Sequence, residues 1–402
     1  MANIASITPI LKERYGPKIV DQLDNYTELT KRLTKSNDNI SSDFGGKYVT
    51  FPIHVGRNSG IGSRFEDEVL PAAGTQKYDG VRIGLKHAYG AIRVSGPSIA
   101  MSDENPKAFA KVITEEVDGV TRDLARDFNR QLFGTGNGAL AYFSAATTTA
   151  AATVANARGV GVDDFVDVYD NTGALTASGK RLLSVNPATG AVVFDSATTV
   201  VVGGFITRAG SGPDAVKGNR ELTGLGAIIG ASNVLYNLDP ATQPIWKSTV
   251  DTATASDLED QFTLLSDKIY GLGGKTNLMV TTQGVRRKYA AELMSIRSTV
   301  NRTSHEGGFS GLKFVTDGPD GDIDILVDLD APRGEALFLN TEDITLYRDK
   351  AWDWLERDGN MWKQEVTAQG PKDAWRAEIA QYHELGISRR NTFGKITGIT
   401  EG

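Results

Sequence analysis

The sequence contains no cysteine and only four histidines, His54, His87, His305 and His383, in 402 residues. Disulfide scaffolds, thiolate zinc sites, thiol nucleophiles and cysteine-ligated iron–sulfur clusters are therefore excluded. No two histidines lie close enough for a helical metal pair. No run approaches the ~18 apolar residues of a membrane span, and the N-terminal MANIASITPILKERYG lacks the basic-then-apolar pattern of a secretory signal. Basic excess is missing too: 43 Lys and Arg face 50 Asp and Glu, a net charge of -7. That argues against a primary nucleic-acid binder, which clusters its positive charge. The expectation is a soluble, intracellularly made protein of two or three units.

Glycine is abundant, 44 residues or about 11% against a typical ~7%. Scattered without a collagen period, it implies many turns and a β-rich chain. Residues 1–43 carry Val20, Leu23, Tyr26 and Leu29 to Leu33 at roughly helical spacing but no self-sufficient core, and read as an arm. Lys47–Val55 and Tyr78–Ser95 are strand-like, the second with Val81, Ile83 and Leu85 alternating with Arg82, Gly84 and Lys86. Between them lies a charged, Gly-rich tip, Arg57 through Pro71. A two-stranded ribbon of this length needs another surface, of its own chain or a neighbour.

Asn105, Pro106 and Gly134 bracket the clearest element, a helix over 106–133. Phe109, Val112, Ile113, Val117, Val120, Leu124, Phe128 and Leu132 form its apolar stripe, which wants a sheet beneath it. Phe143–Ala157 is small-residue and low in charge, suited to a linker or an edge strand. Short β runs follow from about Val160 to Arg208, with NPATG as a hairpin signal at Asn186–Gly190. They read as a small all-β insertion. The remainder is α+β: Ser256-Asp-Leu-Glu259 reads as a capping box opening a helix closed by Gly271. Strands are expected at Asn277–Thr281, Ile323–Val327, Ala336–Leu339 and Ile344–Tyr347, a helix near Gln283–Met294, and aromatic-rich strands around Trp352 to His383.

Chemical motifs fail on inspection. Gly271-Leu-Gly-Gly-Lys-Thr276 follows a helix and precedes a strand, the inverse of a phosphate loop, and has Ile269 where the first glycine belongs. The acidic run from Asp317 to Asp330 has Ile325 and Ala331 where a calcium loop needs Gly and Glu. Gly308-Phe-Ser310-Gly311 continues with Leu312 and so lacks the last glycine of a nucleophile elbow. No catalytic residue, cofactor or metal ligand is assigned, which favours a non-enzyme.

The order of arm, charged-tip ribbon, long helix ending in a Gly-rich loop, β insertion and α+β remainder resembles the major capsid proteins of tailed bacteriophages, whose fold encapsulin shells share. The best matching stretches are Tyr78–Gly138, with DENPKAFAKVITEEVDGVTRDLARDFNRQLFGTGNG, and AWRAEIAQYHELGISRRNTFGKITGI near the C-terminus. The resemblance implies an α+β capsid fold: an N-terminal arm (1–43), an extended loop (44–95), a peripheral domain (96–142) with a spine helix (106–133), and an inserted β domain (158–210). An axial domain near 215–340 follows, with C-terminal strands (341–402) completing the fold.

It implies a shell-forming protein that assembles as pentamers and hexamers around double-stranded DNA, without sequence-specific binding and without a membrane. Some relatives carry a long N-terminal scaffolding region; only about 43 residues precede the ribbon, so a separate scaffolding protein is expected, with a portal and a possible decoration protein. Arg57, Arg64, Glu66, Asp67 and Glu68 at the ribbon tip are the candidate intersubunit contacts; the plain alternative is a solvated loop. Lys77 and Lys86 lie in the ribbon, where some relatives crosslink Lys to Asn, but no motif identifies a partner. An encapsulin-like compartment, a β-rich surface or tail protein and an unrecognised enzyme stay open as other readings.

Overall fold

The stripe of the long helix does find its sheet. The computed structural model describes residues 28–36, 48–97, 106–214, 218–254, 257–296, 303–304, 310–311, 313–315, 321–349, 351–356, 360–368 and 370–401. The helix runs Pro106–Phe133, with Gly134 N–H donating to Gln131 O at 3.0 Å at its end. Phe109, Val112 and Ile113 fall outside its described side chains. Val117, Val120 and Leu124 of the stripe pack with Ile92 and Val94 of strand Lys86–Ser95 and with Ala377 and Ile379 of strand Gly370–Ile387, and Phe128 meets His383 of the same strand edge-on. These two strands pair antiparallel from Lys86↔His383 to Ser95↔Ala374. Trp352, Trp354, Met361 and Trp362 complete this core. The helix presses close at Gly90, where an added Cβ would sit 2.5 Å from Leu124 Cδ1.

The chain divides into two compact units. The first holds the helix, its sheet and residues 86–226 and 350–383; the second holds 32–85, 227–349 and 384–402, and strand Gly370–Ile387 contributes to both.

Within the first unit the insertion is a closed ring of six short strands, Ala141–Tyr142, Phe205–Arg208, Phe165–Tyr169, Leu175–Asn186, Ala191–Phe194 and Ala151–Thr153 in spatial order. Neighbours pair antiparallel throughout. The ring shuts where Phe143 bridges Val154 and Ala155 N–H donates to Tyr142 O at 2.8 Å. This is a small β-barrel without open edges. The Phe143–Ala157 stretch supplies its closing strand: Ala152, Val154 and Ala157 are small enough to point inward beside Phe143, Val166, Val168, Leu182, Phe194 and Ile206. The expected hairpin turns at Gly190, φ +71°, whose N–H donates to Asn186 O.

The second unit centres on a six-stranded mixed sheet, ordered Thr249–Thr252, Gly394–Thr397, Ala336–Leu339, Leu278–Thr281, Asp322–Val327 and Lys313–Val315. Its middle strands, ALFL and LMVT, are wholly buried, as apolar runs covered on both faces must be. Helices Leu258–Gly271 and Gln283–Ile296 pack on it around Phe262, whose ring meets Tyr289, Phe314 and Phe338. Of the N-terminal arm, Glu28–Arg32 is helical with Leu29 buried, as the spacing anticipated; most of 1–43 lies outside the described residues, as does most of 297–311.

One sequence reading needs correction. The run Tyr78–Ser95 is not one strand. It divides at Leu85 into Lys77–Gly84, paired with Tyr48–Gly56, and Lys86–Ser95, paired with Ala374–His383. Both halves alternate identically, so periodicity could not reveal the change of partner. The capping box expected at 256–259 lies partly outside the described residues. The N-cap of helix Leu258–Gly271 is Asp257, with no side-chain cap bond. Glu292 of the neighbouring helix accepts from Leu258 N–H at 2.8 Å instead, a tertiary substitute for a local cap.

Candidate functional site: the ribbon and its tip

The ribbon is built by alternation. Val49 pairs with Ile83 and Phe51 with Val81 on one face, which the second unit buries; Phe51 stacks on Tyr347 with centroids 6.2 Å apart. The base of the ribbon is therefore seated on its own chain. The other face carries the pairs Thr50↔Arg82, Pro52↔Gly80 and His54↔Tyr78 and is exposed. There Arg82 lies 3.8 Å above the Tyr48 ring, and His54 meets Tyr78 edge-on at 5.4 Å.

Beyond a bulge between His54 and Gly56 the strands end and the two limbs converge at a neck. A Cβ on Gly60 would come within 2.7 Å of Gly74 N, and one on Gly74 within 2.7 Å of Gly60 N, so backbone faces backbone and only glycine fits. Asn58 Oδ1 accepts from Gly60 N–H at 2.7 Å.

Past the neck every residue from Ile61 to Leu70 is exposed. The structure brings four of the five candidate contacts, Arg64, Glu66, Asp67 and Glu68, into one turn, and sets Arg57 before the neck, also exposed. Arg64 is spent on the loop itself, donating from Nε to Val69 O at 3.1 Å and from Nη1 to Ser63 O at 3.0 Å. Glu68 Oε2 accepts from Phe65 N–H at 3.1 Å, and Asp67 takes a left-handed φ of +67°. Glu66, Asp67 and Arg57 make no side-chain hydrogen bond or ion pair among the described residues. What the charges conceal is apolar: Ile61, Phe65, Val69 and Leu70 are 83, 84, 88 and 79% exposed. Sequence reasoning missed them because they follow neither helical nor strand periodicity. The signal was their presence in a loop too polar to bury them.

The other motifs resolve into structure. Gly271–Gly274 ends a helix, with Gly273 at φ +79° and Gly274 N–H donating to Ile269 O at 3.0 Å. Among the described residues no cluster of three His, Asp or Glu could hold a metal, and no helix is long and apolar enough to cross a membrane. Ser310 is in a two-residue strand, and His305 lies outside the described residues. His383 is buried between the rings of Phe128 and Trp352, with Nδ1 unpaired. Burial, with His87 nearby, pushes its pKa down to about 3.

Two ionic locks went unread. At the end of the long helix Arg130 donates to Glu221 at 2.6 Å, to Asp127 and to Ala139 O, while Arg208 of the barrel also reaches Asp127 at 3.0 Å. Burial would raise Asp127, but Arg130 and Arg208 hold its carboxyl down to about 2. In Ser388-Arg-Arg-Asn391, Arg389 grips Asp343 with Nε and Nη2, both at 3.1 Å. Arg390 is fully buried and forms no ion pair among the described residues: it donates to Ile228 O and Asn233 O at 2.8 Å and to Asn233 Oδ1 at 2.6 Å.

No family model and no curated protein matches the sequence. Known structures do match. A chain of the cyanophage A-1(L) capsid asymmetric unit aligns over 95% of this chain and 93% of its own, at 13% identity and a TM-score of 0.51. A chain of Mycobacterium phage Bobi aligns over 99 and 98%, at 7% identity and 0.46. The holo-SrpI encapsulin complex from Synechococcus elongatus PCC 7942 aligns over 94 and 90%, at 8% identity and 0.46. Ribbon, long helix over its sheet and buried mixed sheet, in this order and over nearly the whole chain, make this the fold of the tailed-bacteriophage major capsid proteins.

Proposed function

We propose that the chain is a major capsid protein that self-assembles into the icosahedral head shell of a tailed bacteriophage around double-stranded DNA, acting structurally and not as an enzyme. The observation that carries this reading is the likeness to the cyanophage A-1(L) capsid over 95% of the chain. An exposed apolar tip on a ribbon whose base is buried supports it, because such a tip is stable in water only at a cost that a neighbouring copy would relieve.

In this reading the ribbon from 44 to Leu85 is the extended loop, narrower than the expected 44–95. The long helix with strands Lys86–Ser95 and Gly370–Ile387 belongs to the peripheral domain. The barrel, which takes in Ala141–Tyr142 and Ala151–Thr153 beyond the expected 158–210, is a surface insertion; most of 227–349 is the axial domain, and 1–43 is the arm. Arg57, Arg64, Glu66, Asp67 and Glu68 ring the contact, with Phe65 and its apolar neighbours at its centre. Pentamers and hexamers, a separate scaffolding protein, a portal and possibly a decoration protein complete the assembly, and the location is the virion. Many copies multiply individually modest contacts into a stable shell.

Negative-stain electron microscopy of the protein, alone and co-expressed with its genomic neighbours, tests this. Closed angular particles tens of nanometres across are expected; monomers under both conditions would overturn the reading. Particles filled with enzyme instead of DNA would move it to an encapsulin-like compartment.

A further inference from the structure

Five Asp-Gly pairs stand in the sequence, beginning at Asp79, Asp118, Asp317, Asp320 and Asp358. The dipeptide matters chemically because a glycine amide nitrogen, with no Cβ beside it, is the least hindered nucleophile that can reach the preceding side-chain carboxyl. Asp317, Asp320 and Asp358 lie outside the described residues. The other two sit in opposite settings, one in the ribbon and one in the long helix.

At Asp79 the ground-state geometry is already close to reaction. Gly80 N–H donates to Asp79 Oδ1 at 2.9 Å, which brings the nitrogen up to the carboxyl whose carbon it would attack. The other oxygen, Oδ2, accepts from Gln243 Nε2 at 3.5 Å, a long contact within the same compact unit that opposes rotation of the carboxyl away from that nitrogen. Space is available too. Gly80 is exposed, and a Cβ built on it would meet nothing within 4 Å, so a ring closing there displaces no neighbour. Its cross-strand partner is Pro52, which brings no N–H to the ladder and so holds this rung less firmly. Asp118 is the contrary case. It lies inside helix Pro106–Phe133, where each amide N–H points along the axis to the carbonyl four residues back, away from the preceding side chain.

We propose that Asp79-Gly80 is a site of spontaneous backbone isomerisation, an ageing site built into the ribbon. The Gly80 nitrogen bonds to Asp79 Cγ and loses its proton, while the Cγ–OH bond breaks and water leaves, closing a succinimide ring. Water then adds back. Opening at Cγ restores aspartate. Opening at the main-chain carbonyl carbon breaks the original peptide bond, returns a proton to nitrogen and leaves the chain running through Cβ and Cγ as isoaspartate. Water is the only co-reactant. The isomer lengthens the backbone by one carbon, so the pairs His54↔Tyr78 and Gly56↔Lys77 cannot keep register with Val49↔Ile83 and Phe51↔Val81. The outer ribbon is re-aimed while its base stays seated.

To test this, the purified full-length protein is incubated in heavy-oxygen water, digested with trypsin in ordinary water and mapped by mass spectrometry. Each hydrolysis of a succinimide leaves one heavy oxygen in the peptide. The Lys and Arg positions release the two pairs on separate peptides, 78–82 and 112–122. Label and a second, equal-mass isoaspartyl form are expected in 78–82, and neither in 112–122. No label in 78–82 would overturn the proposal, and so would equal label in both peptides, because the dipeptide rather than the fold would then govern the chemistry. Gly80→Ala supplies a second measurement. The methyl has room, so the fold should be kept, while conversion is expected to fall about tenfold as the added Cβ crowds the nitrogen. Conversion at the parent rate would count against the proposal. The free subunit suffices for both measurements, so neither result depends on the shell reading.

Discussion

Arg390 and His383 are the two residues whose environments have most to say about stability. Replacing Arg390 by Met would take the guanidinium donors from Ile228 O, Asn233 O and Asn233 Oδ1, although Ile228 O keeps Gly230 N–H at 3.1 Å and the Ser248 hydroxyl at 3.3 Å. Losing these charge-assisted hydrogen bonds is expected to cost about 1–3 kcal/mol, read from urea unfolding of the free subunit. Lys should not rescue it, because one ammonium cannot reproduce a planar fork serving several carbonyls. His383 acts through pH. Its folded pKa, about 3, lies below the ordinary value of 6.5, so the unfolded chain takes up the proton first. Its contribution is complete above pH 6.5 and is lost as pH falls towards 3, at a limiting ~1.4 kcal/mol per pH unit. His383→Leu is expected to flatten that part of the pH profile; an unchanged slope would show that other groups govern it. Asp127, held at about 2, adds its own loss only at lower pH, between the ordinary carboxylate value and 2.

At the scale of elements, the ribbon separates a seated base from a free tip, and the neck at Gly60 and Gly74 marks the division. Since every residue from Ile61 to Leu70 is exposed, replacing 61–73 by a short turn should change subunit stability by no more than about 0.5 kcal/mol. Assembly should suffer severely, and particle counts by electron microscopy beside a urea titration separate the two effects. A variant that assembles normally would remove the tip from the contact. The long helix was legible in full because 28 residues of 3.6 periodicity with Pro and Gly at its ends are unambiguous. The division at Leu85 was not, because alternation identifies a strand but not its partner. Glu292 capping Leu258 was equally hidden, for the two residues stand 34 apart.

For the whole molecule, the barrel is a part with a closed pairing ring and an apolar core of its own, from Leu140 to Ile206. Residues 137–213 expressed alone are therefore expected to fold cooperatively, with dispersed amide resonances and a single denaturation transition, though at modest stability for so small a core. A disordered spectrum would show that Arg208–Asp127 and the neighbouring loops are needed to hold it.

The sequence by itself determined the kinds of element and much of their order: the helix, the ribbon, the NPATG hairpin, the buried strands and the failure of each catalytic motif. These rest on local facts, namely periodicity, turn chemistry and spacing, which neighbours in the chain enforce on one another. It also carried the candidate tip residues, because Arg57 through Glu68 stand together along the chain. Only the tertiary structure decided that Phe143–Ala157 closes a barrel, that Arg389 and Arg390 serve distant carboxylate and carbonyl groups, and that Ile61, Phe65, Val69 and Leu70 stay in water. Burial and partnership depend on groups brought together from afar, and no local pattern states which apolar residue the fold will leave outside.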